Sequence, residues 1–242
     1  MKVLGIESSS DFGGAAITDN RSVPGDIRLD LKAAHTERLM PIIDRLFRET
    51  GIGPDSLEGI AVSLGPGGFT GLRSGLGLGK GLAYARGIPI AGVPTLEKLA
   101  LIGSENLREN GPSGRAISRA AVVSDARRGE ILYAVFRECE GYPVCEVPTS
   151  LGVVDDLVSS LRTKVDEEPP LLVVDESCPA DPVVEAVTQA GIKIRDMVRG
   201  TPDAVSVARL GAKRLTDGRS DDVKSLVPLY IRPSDAEVPR GR

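Results

Sequence analysis

Short apolar runs open the chain before any helical spacing appears. Lys2 to Glu7 is a short apolar run that ends in the polar turn residues Ser8, Ser9 and Ser10, and Gly14 to Thr18 is apolar again. This pattern predicts a strand, a turn and a returning strand. Val23 to Leu31 alternates and adds a third strand. Thr36 is a predicted N-cap with Glu37 in the first turn; Leu39, Ile42, Ile43, Leu46 and Phe47 then recur at helical spacing until Gly51 ends the run. A buried strand over Leu57–Leu64, a helix over Thr70–Arg86, a strand over Ile88–Val93 and a helix over Thr95–Ile102 follow. Strands alternating with helices predict a layered α/β fold.

Gly103 to Ser118 is polar and rich in turn formers, which marks a linker. Beyond it the opening pattern returns. Ala120 to Ser124 is apolar, Asp125 sits at its exit, "ARRG" turns, and Glu130 to Phe136 runs back. Glu7 and Asp125, each acidic where a strand enters a hairpin, point to a duplicated α/β unit. Asp155 to Glu168 reads as a solvated helix face, and further strand and helix signals lie at Leu171–Val174, Pro182–Gln189, Ile192–Arg195 and Pro202–Leu215. The polar end "IRPSDAEVPRGR" is expected to fray. The expected division is a first lobe over 1–105, a linker over 106–118, a second lobe over 119–225 and a C-terminal segment over 226–242.

Composition narrows the functional classes. The 242 residues are 41% hydrophobic and 26% charged, enough for a sizeable core. A net charge of -4, 3% aromatics and no Trp argue against autonomous binding to nucleic acid or anionic membrane. Cys139, Cys145 and Cys178 lack zinc-ligand spacing and read as free thiols in a reducing cytosol. No apolar run approaches the ~20 residues of a membrane span, so a cytoplasmic protein with no membrane partner is expected.

The stretch "LGPGGFTGLRSGLGLGKGLAYARG", Leu64 to Gly87, looks at first like a phosphate loop. A Walker loop needs G-x-x-x-x-G-K-[ST], but before Gly79-Lys80 the first glycine position holds Ser74, and Gly81 stands in the hydroxyl position. The dinucleotide fingerprint fails at Thr70 and again at Lys80. Gly71, Gly75, Gly79 and Ala83 instead fall four apart, on one helical face. A buried helical glycine costs roughly 0.8–1 kcal/mol relative to Ala, a cost that close approach of another backbone offsets. That backbone belongs either to this chain, as its own sheet or the Thr36–Thr50 helix, or to a second protein. Docking of a second protein on this face and the Gly65–Phe69 loop is the expectation. Arg73 serves either an internal contact or an acidic partner group.

"GPGGFTGLRSGLGLGKGLA" also resembles the G-P-G-[SG]-F-T-G-L-R stretch of the bacterial TsaB (YeaZ) family. "VLGIESSS", "HTERLMPIIDRLF", "DARRGEILYAVF" and "PLYIRP" sit where that family has corresponding segments, so the resemblance covers nearly the whole chain. It implies an α/β fold of two duplicated lobes of the actin and sugar-kinase-like ATPase type. It also implies a non-catalytic scaffold subunit, required for threonylcarbamoyl transfer to adenosine in tRNA, that binds and stabilises a TsaD-like catalytic subunit. A TsaE-like ATPase would join them and a TsaC-like enzyme would supply threonylcarbamoyl-adenylate. tRNA would be reached indirectly through the complex, where Arg127 and Arg128 could assist, and the glycine-rich helix could form a homodimer when the partner is absent. On this reading the partner-binding residues are His35, Arg38, Leu39, Ile42, Gly65, Pro66, Gly67, Gly68, Phe69, Thr70, Gly71, Leu72, Arg73, Gly75 and Gly79.

The catalytic relative TsaD carries a metal-binding H-x-x-x-H, and by chain order Thr95 and Leu99 stand in its histidine positions here. His35 is the only histidine, which excludes a two-histidine metal site in one chain, and no nucleophile or orienting acid accompanies it as a general base. A residual nucleotide site would comprise Glu7, Ser8 and Ser9 with Asp125. The second hairpin, however, has arginines where glycines would bring amides close to phosphate. No cofactor of its own is expected, with ATP and Mg²⁺ bound only weakly or at the complex interface. The alternative is a free-standing small-molecule kinase or ATPase of the same fold.

Overall fold

The structure is a computed structural model that describes residues 1–20, 22–30, 35–110, 118–164 and 168–231, the side chains at 35, 36, 110 and 164 excepted. In the first half, β1 (Lys2–Glu7), β2 (Phe12–Asp19) and β3 (Ser22–Asp30) form an antiparallel meander, followed by α1 (His35–Thr50), β4 (Gly59–Gly65), α2 (Phe69–Arg86), β5 (Ile90–Pro94) and α3 (Thr95–Asn110). The second half repeats the order with β6 (Arg119–Asp125), β7 (Ile131–Cys139), β8 (Tyr142–Gly152), α4 (Val154–Lys164), β9 (Leu171–Asp175), α5 (Ala180–Gln189), β10 (Asp196–Gly200) and α6 (Ala204–Thr216). The sheets run β3-β2-β1-β4-β5 and β8-β7-β6-β9-β10, the same topology twice. In each, the helical crossovers make the last strand pairs parallel, as such crossovers must. The duplication expected from Glu7 and Asp125 is present as two α/β lobes.

The division between the lobes differs from the sequence reading. One compact unit comprises Met1–Lys98 with Pro202–Arg242, and the other Leu99–Thr201. The boundary falls inside α3, and α6 packs on β1, β2, β4 and β5 of the first sheet. Small residues make this exchange of third helices feasible. Gly5 of β1 lies under Ala204 and Ala208 of α6, where any Cβ would collide, and Gly211 of α6 rests on Ala61 of β4. In the second unit Gly103 of α3 rests in the same way on Val173 of β9. Helical spacing shows which face of a helix is apolar, not which sheet it covers.

Other boundaries also shift. α3 continues to Asn110 through the first part of the expected linker, because Leu99, Ala100 and Leu101 are core residues and Gly103 packs inward. Residues 111–117 of that linker lie outside the described residues. β8 was not anticipated; its mostly half-buried side chains carry no clear alternation. The final strand is Asp196–Gly200 rather than Ile192–Arg195, paired in register with Leu171–Asp175. The C-terminal segment is docked as far as Tyr230, and the end expected to fray, 231–242, lies outside the described residues beyond Ile231. No helix among the described residues is long and apolar enough to cross a membrane.

Each unit has its own core. Leu4, Ile6, Ile17, Ile43, Leu46, Ile60, Val62 and Leu76 centre the first, and Val123, Val135, Leu157, Leu161, Val174 and Val183 the second. Leu39 and Ile42 of α1 are 1% and 3% exposed members of the first core. They are therefore packing residues, which corrects their assignment to a partner surface.

α2 settles why its inner glycines are there. It is capped by Gly68 at the N-terminus and by Gly87 at φ 62°, whose N–H donates to the Ala83 and Tyr84 carbonyls. A Cβ on Gly75 would collide with the Ser8 side chain, and one on Gly79 with Val62, with Ile60 Cγ2 at 3.4 Å. The face bearing Gly71, Leu72, Gly75, Gly79 and Ala83 is buried. The internal alternative therefore holds: this face lies on β1 and β4, and Gly71, Leu72, Gly75 and Gly79 cannot be partner contacts. Gly77 and Gly81 point the other way, where a Cβ would meet no heavy atom within 4 Å among the described residues.

Two outcomes follow. Gly79→Leu should destabilise the protein by about 1–3 kcal/mol through overpacking, whereas Gly77→Ala should stabilise it by up to about 1 kcal/mol through helix propensity; urea unfolding midpoints measure both. Cys178 is 3% exposed, and burial, with the Asp125 and Asp175 carboxylates adding to it, pushes its thiol up to about 11. At pH 8 only about one molecule in a thousand then carries its thiolate. Ellman's reagent should accordingly titrate Cys139 and Cys145, both exposed, in the native protein, and Cys178 only after denaturation.

Candidate functional site

The exit of β1 concentrates the first unit's polar chemistry. Glu7 is 1% exposed, and its Oε1 accepts hydrogen bonds from both the N–H and the Oγ of Ser9, each at 2.6 Å. Its Oε2 is ion-paired with Lys98 of α3, a lysine with no exposed surface whose Nζ also donates to Ser9 Oγ at 3.2 Å. The N–H of Ser8 donates to Ser63 Oγ, which donates in turn to the Ile6 carbonyl, tying the turn to β4. Ser8 Oγ has no hydrogen-bond partner among the described residues and abuts Gly75. One residue before Lys98, burial pushes the Glu97 carboxyl up against the pull of Arg214 and Arg219; Arg214 Nη2 lies 2.5 Å from it.

The glycine loop closes over this turn. Gly68 N–H donates to the Ser9 carbonyl at 2.8 Å, and a Cβ on Gly67 would strike that same carbonyl. Gly65, buried at φ 99°, adopts a backbone that only glycine takes readily. Pro66 and Phe69 are half-buried, while Gly67, Gly68 and Thr70 are exposed. The loop is thus both an internal clamp and a surface.

A C-terminal strap runs beside it. Asp221 Oδ2 accepts from Gly92 N–H at 2.7 Å, Lys80 donates to the Lys224 and Leu226 carbonyls, and Leu229 N–H donates to the Leu64 carbonyl. Tyr230 stacks on Phe69 with ring centroids 4.5 Å apart, and Arg73 Nε donates to the Tyr230 hydroxyl at 2.9 Å. Arg73 also lies 5.2 Å from the Phe69 ring centroid. Its internal alternative is therefore realised, although the side chain stays exposed.

In the second unit Asp125 Oδ1 accepts from Arg127 N–H at 2.8 Å, the same carboxylate-to-amide turn that Glu7 makes with Ser9. Asp125 is exposed, and Arg127 and Arg128 take φ values of 62° and 58°, so the hairpin tip holds two side chains in the left-handed region. Asp175 accepts from Ser124 Oγ and from Ser177, and Arg199 donates to the Asp175, Glu176 and Cys178 carbonyls. Of the expected nucleotide residues, Glu7 and Ser9 are brought together, Ser8 faces α2, and Asp125 belongs to the other unit.

The remaining residues expected to bind a partner lie on α1. Arg38 is exposed and reaches the Asp30 carbonyl at 3.2 Å; His35 opens α1, with its side chain outside the described residues. Residues the sequence reading missed now define the outer face. On α2 these are Gly77, Gly81 and Tyr84, the last 74% exposed, and on α1 it is Met40, 46% exposed. Gly77 and Gly81 have the same spacing as Gly75 and Gly79, so the sequence held two glycine faces and gave no sign which was covered. Lys98 was legible only as one of two adjacent charges, with Glu97, among Leu96, Leu99 and Ala100.

A family model described as "TsaD: tRNA N6-adenosine threonylcarbamoyltransferase" matches residues 30–143. The tRNA threonylcarbamoyladenosine biosynthesis protein TsaB of Bacillus subtilis (strain 168) is 29% identical over 238 residues, 98% of this chain and 97% of that protein. Its namesake in Escherichia coli (strain K12) is 25% identical over 232 residues, 96% of this chain and 95% of that one. Among solved structures, YeaZ from Pseudomonas aeruginosa superposes with a TM-score of 0.74 at 21% identity, covering 95% of this chain and 99% of its own. The ROK hexokinase from Thermus thermophilus, with a TM-score of 0.56 at 15% identity over 90% of this chain and all of its own, shares the fold. These matches run nearly end to end, so the chain is similar to TsaB (YeaZ) proteins along almost its whole length.

Proposed function

We propose that the chain serves tRNA threonylcarbamoyladenosine biosynthesis as a non-catalytic scaffold subunit that binds and stabilises a TsaD-like threonylcarbamoyltransferase. The observation that carries this reading is the outer face of α2. Gly77 and Gly81 meet nothing among the described residues, so their cost of roughly 0.8–1 kcal/mol each in helix propensity has no return there. Tyr84 stands beside them at 74% exposed, on a residue type enriched in interface anchors. A partner helix lying in this glycine groove, with Met40 of α1 at its edge, would use both features. The family-model match supports a like-with-like pairing, since residues 30–143 include α1 and α2.

In this reading a TsaE-like ATPase joins the pair in the cytoplasm, and tRNA is met through the complex. The chain has no cofactor of its own; ATP and Mg²⁺ bind at the complex interface if at all. The same α2 face forms a homodimer when the partner is absent, so the two assemblies exclude one another. A free-standing kinase or ATPase would first have to detach Lys98 from Glu7 before that carboxylate could serve a metal ion.

Gly81→Leu should retain the wild-type circular dichroism spectrum and melt no lower than wild type, yet weaken co-purification with the TsaD-like subunit at least tenfold, about 1.4 kcal/mol. In size-exclusion chromatography of the chain alone it should shift dimer toward monomer. Retention of wild-type affinity by this variant would remove the interface, and robust ATP turnover by the purified chain would remove the scaffold reading.

A further inference from the structure

The Glu7–Lys98 pair raises a question that packing does not answer. Both groups are out of solvent, at 1% and 0% exposed. A buried ion pair is seldom more stabilising than well-packed apolar residues of the same volume, because desolvation offsets its attraction. The turn itself does not need the lysine. Asp125 makes the same carboxylate-to-amide turn in the second repeat while exposed to solvent. What the first repeat adds is a buried carboxylate, with Ser9 Oγ beside it and a positive charge delivered by α3 to both. Carboxylate and hydroxyl oxygens form a hard donor set, of the kind that suits Mg²⁺ or Mn²⁺.

We infer that the Lys98 ammonium is the resident cation of a hard-oxygen site at Glu7 and Ser9, filled covalently from within the chain, and that shortening Lys98 hands the place to a divalent metal ion. The inference rests on the non-catalytic reading above and supplies a physical reason for it: with both carboxylate oxygens engaged, Glu7 offers a metal no free oxygen and no net charge. Glu7 also lines a cleft of about 110 Å³ bounded by Asp26, Arg28 and Asp203, where two further carboxylates outnumber one guanidinium.

The test compares wild type, Glu7→Gln, Lys98→Ala, Lys98→Met and Glu7→Gln/Lys98→Ala in the 242-residue chain. Mn²⁺ binding is followed by electron paramagnetic resonance, and melting temperature is read with and without MgCl₂. Lys98→Ala should bind Mn²⁺ at least tenfold more tightly than wild type and melt higher with Mg²⁺ than without. Lys98→Met, which fills the volume without the charge, and the double variant should show neither response. If Lys98→Ala fails to fold without metal, recovery of folded protein on refolding with Mn²⁺ supports the inference and its absence overturns it. A folded Lys98→Ala that ignores divalent ions, and melts higher only as pH falls, would show Glu7 simply taking a proton; that result overturns it too. Mn²⁺ binding by wild type that Glu7→Gln abolishes would also overturn it. None of these results depends on co-purification with a transferase, so failure of the inference is distinguishable from failure of the scaffold reading.

Discussion

The Ser8–Ser9 turn is gripped from two sides, and much of the first unit depends on that grip. From one side Glu7 and Lys98 fix the turn by charge and hydrogen bonds. From the other, the chain comes so close that Gly67 and Gly75 have no room for a Cβ. The approach is feasible only because both elements bring bare backbone to it; any side chain at either position would move α2 outward by about its own width. The glycine loop, the start of α2 and the strap that stacks Tyr230 on Phe69 all take their positions from this contact. A stretch that resembles a phosphate cradle is therefore an intramolecular one, with the Ser9 carbonyl where an anion would otherwise sit.

The duplicated topology makes the asymmetry between the repeats informative. Both place an acid at the end of the central strand, and both turn the chain by having that acid accept an amide two residues on. One acid is then buried with a lysine and the other left in water beside two arginines in left-handed conformations, which cost about 1–2 kcal/mol each. The exchange of third helices adds to this. Gly103 and Gly211 occupy equivalent places against β9 and β4, but each serves the sheet of the other repeat. Neither repeat holds its own third helix throughout.

Local structure was largely legible in the sequence because it rests on local signals. The β1–β2–β3 meander, the α1 periodicity and both ends of α2 follow from alternation, spacing and Gly87 in its left-handed cap. The extent of α3 was not legible, since Gly103 and the polar residues after it look like a linker until a strand is known to need a glycine above Val173. Nor was the role of Leu39 and Ile42 separable from that of Met40. A helix facing a core and a helix facing a partner obey the same periodicity, and only burial distinguishes them. Lys98 was missed for a related reason: a charge among apolar residues reads as a solvated edge unless its buried counter-charge, 91 residues away, is seen.

The two glycine pairs of α2 show how such a protein can keep its fold while changing what it binds. Gly75 and Gly77 are separated by two residues, about 200° around a helix, and so are Gly79 and Gly81. The inner pair is fixed by β1 and β4, where added bulk meets the Ser8 side chain and the branched side chains of Ile6, Ile60 and Val62. The outer pair meets nothing among the described residues, so substitution there carries no packing penalty from them and even gains helix propensity. Glycine at those outer positions is therefore not what stability alone would select. The helix is anchored on one side by a constraint that tolerates no change, and on the other it presents a smooth groove whose cost is unreturned until something occupies it.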